Sequence, residues 1–268
     1  MRKDFFARMQ NKVIVITGAS GGIGAACAAK LAPGNRVYAL SRSGRAPEGS
    51  IPIVCDVTDP EALRAAVDTV AESEGRIDAA LLCAGCGISG AVEFIPPEEA
   101  ERQFAVNFFG VDNALRVLTP YLRKSRGRVL AVSSAAAVFP IPFQAHYSAG
   151  KAALNVLMRA YGIEVRPFGI EAGSVMLGDC ATGFTAARKK CEDGDELYGG
   201  RISAGVAAME RDERRGASPE QIAAQIVKIL SRRRLPSLRT VGASYRLLVF
   251  LSRILPIRLQ NYILSRLY

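Results

Sequence analysis

The feature that most constrains this chain is an alternation of short apolar runs with stretches of helical character. The runs fall at 13–17, 36–40, 51–55, 78–83, 128–133 and 170–177. That alternation is the mark of a parallel sheet covered by helices. Between the runs lie helix-opening signals. Thr58-Asp-Pro-Glu61 has the form of a capping box with a proline in the first turn, ahead of Leu63, Ala66, Val67 and Val70. Ser218-Pro219-Glu220 opens another helix in the same manner, and Pro96-Pro97-Glu98-Glu99 opens a long one expected to reach about Lys124, with an interruption at Pro120. The expected fold class is α/β, a doubly wound parallel sheet with helices on both faces.

At 268 residues the chain has room for one large domain or two small ones. A single domain over 1–243 is the reading, with a basic helical extension at 244–268. Within the domain, 179–217 is Gly-rich, charged and weakly periodic, as a lid or substrate-binding loop would be. An apolar share of 49% against 22% charged residues excludes intrinsic disorder.

The six cysteines, at 27, 55, 83, 86, 180 and 191, are too irregular for a disulfide scaffold and read as reduced core residues of an intracellular protein. Cys83-Ala-Gly-Cys86 has zinc or redox spacing. Zinc, however, needs a second ligand pair, and the chain has no other close pair and a single histidine. A redox pair opens a helix, whereas this one closes a strand. No metal is expected. A cytoplasmic protein is, because no signal-peptide core precedes the first strand and the longest apolar run, 247–255, is cut by Arg253 and stopped by Pro256.

The net charge of +10 is lopsided. From residue 221 onward there are nine basic residues (Lys228, Arg232, Arg233, Arg234, Arg239, Arg246, Arg253, Arg258, Arg266) and no acidic one. They are spread among leucines rather than aromatics, and no DNA-binding motif holds them, so nucleic acid is not the expected partner. A solvated face or an anionic membrane surface fits better. Leu247, Leu248, Phe250, Leu251, Ile254, Leu255, Ile263 and Leu264 are many apolar groups to leave in water. The stretches 245–255 and 256–268 are therefore expected to pack on the protein as a pocket cap or a subunit interface, arginines outward. Peripheral membrane association, with snorkelling arginines, is the alternative.

The strand Val13-Ile-Val-Ile-Thr17 runs into Gly18-Ala-Ser20-Gly21-Gly22-Ile23-Gly24 and then a small-residue helix. Strand, glycine-rich turn and helix bring backbone N–H groups and a helix N-terminus onto a phosphate, as in the Rossmann fold. The spacing departs from GxGxxG, and a plain strand–helix turn is the alternative. Near the position where an acid usually meets the ribose hydroxyls, the chain reads Leu40-Ser41-Arg42-Ser43. A cation flanked by hydroxyls suits a 2′-phosphate, which favours NADP(H) over NAD(H). Otherwise Arg42 solvates a strand end.

Tyr147 and Lys151, four apart, share one helix face. At an effective dielectric near 20 and about 4 Å, an ammonium stabilises a phenolate by roughly 4 kcal/mol, or about three pKa units. That would bring the phenol towards neutrality, where a general acid or base works best. A serine thirteen residues earlier, Ser134, ends a strand.

Together, Thr17-Gly18-x-x-x-Gly22-x-Gly24, Asn107 in Val106-Asn107-Phe-Phe-Gly, Ser134 and Tyr147-x-x-x-Lys151 resemble the classical short-chain dehydrogenase/reductase family over nearly the whole chain. The resemblance implies that Tyr147 passes the proton to or from the substrate oxygen while Ser134 hydrogen-bonds that oxygen. Lys151 would lower the tyrosine pKa and hold the nicotinamide ribose, and Asn107 would position a water in a relay to Lys151. Asp56-Val57 resembles the adenine contact and Thr182 the nicotinamide-amide contact. Ser133 rivals Ser134, which the family's spacing selects. The family's Asn-Asn-Ala-Gly reads Leu82-Cys83-Ala84-Gly85 here, and its Pro-Gly reads Leu177-Gly178. Neither departure removes a catalytic group. Gly18, Gly21 and Gly24 also fit the extended branch, but the short chain, Asn107 and Cys83-Ala-Gly point to the classical one.

Substrate contacts are expected from 86–95, 135–146 and 179–217. Val138, Phe139, Pro140, Ile141, Pro142 and Phe143 make an apolar wall beside the tyrosine, and His146 reads as a pocket wall or a satisfied imidazole rather than a base. Ser134, Phe139, Phe143 and Tyr147 are the expected substrate residues. The wall suits a bulky lipophilic ketone or alcohol and resembles those of hydroxysteroid and retinol dehydrogenases. With Arg42 read as a 2′-phosphate contact, the expected enzyme is NADP(H)-dependent and acts on a steroid-like secondary alcohol or ketone, and the family resemblance implies a homo-oligomer. The alternatives are a reductase for an acyl-chain or polyketide ketone, and a catalytically silent nucleotide-binding regulator.

Overall fold

A computed structural model describes residues 9–267; residues 1–8 and Tyr268, which the expected domain and tail ranges include, lie outside the described residues. Strands β1 (Val13–Thr17), β2 (Arg36–Ser41), β3 (Ile51–Val54), β4 (Ala79–Leu82), β6 (Arg128–Ser134), β7 (Glu171–Leu177) and β9 (Leu238–Thr240) form one sheet. Its order is β3-β2-β1-β4-β6-β7-β9, parallel throughout. A separate parallel pair joins β5 (Ile88–Ser89) to β8 (Lys189–Lys190). The chain winds outward in both directions from β1 and β4, so the loops that leave their carboxyl ends diverge and open a crevice there.

Every residue of β1 is buried. Val13 and Val15 pack into one apolar layer with Leu63, Val67, Leu118, Leu122, Leu154 and Met158. Ile14 and Ile16 pack into the other with Cys27, Leu31, Ile222, Ile226 and Leu230. The first layer brings in the helices Pro60–Glu74, Gly110–Ser125 and Ala145–Glu164, and the second brings in Gly22–Leu31 and Pro219–Leu230. With helices on both faces of one parallel sheet, the doubly wound single domain is the observed fold.

Several local expectations are corrected. The helix opened by Pro97 breaks at a π-helical turn, Ala105–Phe109, and not at Pro120, which sits inside Gly110–Ser125. Pro120 lies on the exposed side of that helix, where water can meet the carbonyl it leaves without a partner. The cap of Pro60–Glu74 is Asp59, whose carboxylate accepts from Glu61 N and Ala62 N, while Thr58 turns back onto Asp56. At Ser218 the expected capping box is formed with Gln221. The 179–217 segment holds the helices Gly183–Ala187 and Arg201–Arg215 as well as β8, so it is a structured flap rather than a plain loop. The seventh strand, β9, has an arginine at its centre and no apolar run; it exists because β7 offers Ser174, Val175 and Met176 for pairing.

Candidate active site

Paired registers align the carboxyl ends of the strands. Thr17 lies level with Leu40 and Leu82, and Ser134 with Leu177. Over that edge opens a cleft of about 1210 Å³. One end is walled by the glycine turn and by Ser41, Arg42, Asp56 and Val57, the middle by Ala84, Gly85, Ser134, Tyr147 and Lys151. Gly178 and Thr182 close the side next to the tail.

The glycine turn is shaped by contacts that exclude side chains. Gly18 has φ +68°, and a Cβ there would lie 2.7 Å from the Ala84 backbone. At Gly24 a Cβ would meet the Gly18 carbonyl oxygen at 2.3 Å, whereas one at Gly21 would meet nothing within 4 Å. Two glycines thus let β1, β4 and the following helix close together, and the third leaves space on the cleft side. The Thr17 hydroxyl oxygen accepts from Cys83 N at 3.2 Å and Ala84 N at 3.4 Å, which locks the two strand ends. Ser20, Gly22 and Ile23 complete the turn, with Gly22 at φ +53° beside Thr182. The cradle fits a dinucleotide: backbone and hydroxyl groups without bulk, a helix beginning at Gly22, and Arg42 and Arg45 beyond.

Asn107 is not in the cleft wall. It is buried in the π turn, where the extra residue swings its amide towards the loop after β4. Its Oδ1 accepts from Cys86 N at 2.8 Å and its Nδ2 donates to Cys86 O at 2.9 Å. A Cβ on Gly85 would stand 3.3 Å from that Oδ1 and 3.9 Å from Lys151 Nζ.

Tyr147 and Lys151 project from the helix Ala145–Glu164. Lys151 Nζ donates to the Val132 carbonyl at 3.0 Å and lies 5.8 Å from the Tyr147 ring centroid. Burial draws the Lys151 ammonium down to about 8. Loss of hydration pushes the Tyr147 phenol up to about 12, although its hydrogen bond with Ser134 pulls the other way; the Glu213 carboxylate adds to the rise and the Arg188 guanidinium opposes it. The expected drop of the phenol towards neutrality is therefore corrected: desolvation dominates, and the Lys151 ammonium is held by the Val132 carbonyl. Between the rival serines, Ser134 bonds Tyr147, while Ser133 is buried with its hydroxyl donating to the Lys151 carbonyl at 3.4 Å.

Phe139 and Ile141 reach the cleft, but Phe143 does not. It is buried with Ala91, Ile202, Val206 and Met209 beneath the helix Arg201–Arg215, which removes it from the substrate residues. Its left-handed backbone, φ +59°, turns the chain there.

Other wall residues carried no sequence signal. Phe184 stands 5.8 Å from the Tyr147 ring, centroid to centroid. Glu213 and Gln144 line the cleft too, and Arg188 ties them together: it pairs with Glu213, and Gln144 is oriented so that its amide oxygen accepts from Arg188 at 3.1 Å. Nothing in the spacing of the charged run around Glu213 sets that residue apart. Burial raises the Cys83 thiol to about 12 and lifts Cys86 as well, so neither is a thiolate near neutrality. Among the described residues no group of three or more His, Cys, Asp or Glu is placed to hold a metal ion.

The C-terminal helices Ala243–Leu251 and Ile257–Leu267 form the far wall. Tyr245 anchors them. A Cβ on Gly178 would fall 1.9 Å from its ring, so glycine there makes room for the tyrosine, whose hydroxyl bonds the Asp179 carboxylate and accepts from Asp179 N at 3.1 Å. Leu248, Leu251, Leu255, Ile263 and Leu264 line the cleft. The expected packing of this tail is met only in part: Val249 is buried, but Leu247, Phe250 and Ile254 are exposed and outside the cleft wall. The reason is geometric. Short helices at the cleft rim have one side to offer the protein, and their other side is left over.

Residues 12–193 match the family model described as short chain dehydrogenase. A protein of Bacteroides thetaiotaomicron named 3-ketodihydrosphingosine reductase is 37% identical over 266 residues, 97% of this chain and 99% of its own. Human 17-beta-hydroxysteroid dehydrogenase type 1 is 31% identical over 195 residues, 66% of this chain and 59% of its own. Among solved structures, a short-chain dehydrogenase from Streptomyces avermitilis superposes with a TM-score of 0.82 at 28% identity, over 91% of this chain and 93% of its own.

Proposed function

The chain belongs to the short-chain dehydrogenase family, whose members are oxidoreductases that act on ketones and alcohols with a nicotinamide cofactor, and from that premise we propose that it reduces a ketone carried on a long alkyl chain, with NADPH. The observation that carries the reading is the continuity of the cleft. One trench runs from Ser134 and Tyr147 to Leu248, Leu251, Leu255, Ile263 and Leu264 of the C-terminal tail. A reacting carbonyl at one end of an apolar trench suits a substrate with one polar end and a long hydrocarbon. The relative named for 3-ketodihydrosphingosine supports a lipid ketone.

When bound, the nicotinamide supplies the hydride. Tyr147 supplies the proton, and a phenol held at about 12 is a neutral acid at physiological pH, as reduction requires. Ser134 orients the phenol and the substrate oxygen. Lys151 holds the nicotinamide ribose and returns a proton to Tyr147, and Asn107 fixes the Cys86 backbone next to Gly85 and Lys151. The glycine turn from Gly18 to Gly24 takes the phosphates, Ser41 and Arg42 with Arg45 the 2′-phosphate, Asp56 and Val57 the adenine, and Ala84, Gly85, Gly178 and Thr182 the nicotinamide side.

A second reading, a steroid-like ketone or alcohol, draws support from the hydroxysteroid dehydrogenase relatives and from Phe139 and Ile141 beside Tyr147. The experiment is NADPH oxidation with product identification across a long-chain amino ketone, a 17-ketosteroid and an acyl-chain ketone. Preference for a chain-bearing ketone supports the first reading and preference for the steroid the second. With no turnover of any, the chain is a nucleotide-binding regulator instead.

A further inference from the structure

Among the described residues, the outer side of the C-terminal hairpin has no partner in the fold. Leu247 is 59% exposed, Phe250 58%, Ile254 62% and Ile257 73%, and none of them lines the cleft. Leu248, Leu251 and Leu255, from the same segment, do line it. The hairpin is thus apolar on two sides, one facing the active-site trench and one facing away. Arg246, Arg258 and Arg266 stand exposed along the same helices and Arg253 in the turn between them, and no acidic residue follows Glu220.

Apolar side chains flanked by arginines and free of carboxylates suit one kind of surface, a bilayer rich in anionic lipid. There the apolar groups enter the acyl boundary while the guanidinium groups meet headgroup phosphates. Among the described residues no helix is long and apolar enough to cross a membrane, so the contact of this face is interfacial. Pairing this side with a second copy would set the arginines of both against each other with no carboxylate between them, which electrostatics opposes. We propose that the outer face of the two C-terminal helices docks on an anionic membrane surface and holds the mouth of the trench against it. A lipid ketone then passes from the bilayer, along the inner side of the hairpin, to Tyr147. Docking stands on charge and exposure alone; the delivery step rests on the long-chain ketone reading.

The test is co-sedimentation of the full chain with vesicles of phosphatidylcholine, alone or mixed with phosphatidylglycerol, alongside turnover of a short water-soluble ketone and of a long-chain ketone embedded in the vesicles. The wild type should bind the mixed vesicles, bind plain phosphatidylcholine far less, and release at high salt. Each arginine whose charge is removed should weaken binding about fivefold at low salt. Arg246→Glu/Arg253→Glu/Arg258→Glu and Phe250→Ser/Ile254→Ser should both lose vesicle binding and turnover of the embedded ketone. Both variants should keep wild-type turnover of the soluble ketone, which shows that they fold. Equal binding to both vesicle types, or none, overturns the proposal. So does a stable dimer, measured by light scattering, that the same substitutions break. Wild-type protein that binds mixed vesicles yet reduces neither ketone leaves docking intact and refutes the reductase reading instead.

Discussion

Replacing Tyr147 by Phe isolates a single oxygen. The ring keeps its place: Phe184 flanks it at 5.8 Å and Lys151 Nζ lies 5.8 Å from its centroid. What disappears is the hydrogen bond with Ser134 and the proton itself. One such bond contributes about 1 kcal/mol net, so the melting temperature should move by about 2–4 °C or less. The chemical loss is far larger, since a positioned general acid contributes roughly a hundredfold or more. The phenol does not hold the nucleotide, so NADPH affinity, read by fluorescence titration, should change little. The assay is single-wavelength NADPH oxidation with a saturating ketone. If the Phe variant kept more than about a hundredth of wild-type kcat with unchanged cofactor affinity, Tyr147 would not be the proton donor.

Arg42→Asp should cut kcat/KM with NADPH by roughly 10- to 150-fold, the worth of a hydrogen bond to a charged group, and spare NADH; an unchanged ratio would free Arg42 from the 2′-phosphate role. Reduction should weaken as pH rises past about 8, because Lys151 is charged below that value and neutral above it. A kcat/KM profile that stays flat well above it would take the ammonium out of the proton path. Gly24→Ala forces a methyl to 2.3 Å from the Gly18 carbonyl oxygen and should cost about 1–3 kcal/mol in thermal unfolding, with weaker cofactor binding. Asn107→Ala strands Cys86 N–H and C=O, and the loss should be about 1–3 kcal/mol in chemical denaturation.

The strands and the glycine turn were legible because their signals are local. An apolar run such as Val13–Thr17 is buried on both sides of the sheet, and Gly18 and Gly24 sit where backbone approaches backbone. Tyr147, Lys151 and Ser134 could be placed on one helix and one strand end, so their meeting followed from the topology. The illegible parts depend on contacts between distant segments. Asn107 could be picked out by its motif, but the π turn that aims it at Cys86 leaves no mark on helical periodicity. Phe143 reads like Phe139, and only the helix Arg201–Arg215 packing over it decides that one is buried and the other lines the cleft. The Tyr147 pKa misled for a similar reason: spacing puts Lys151 nearby, yet the Val132 carbonyl holds its ammonium and desolvation dominates the phenol. Glu213 reaches the cleft through Arg188 and Thr185, neither of them near it in sequence.

A homologous series of ketones, identical at the reacting end and growing by one methylene at a time, tests the central claim most directly. If the trench lined by Leu248, Leu251, Leu255, Ile263 and Leu264 holds the hydrocarbon, each buried methylene should raise kcat/KM with NADPH about fourfold, from roughly 0.8 kcal/mol apiece, until the trench is full. Leu251→Ala/Leu264→Ala should flatten that slope and leave the shortest ketone unaffected. A kcat/KM independent of chain length, or one that falls as the chain grows, would contradict the account.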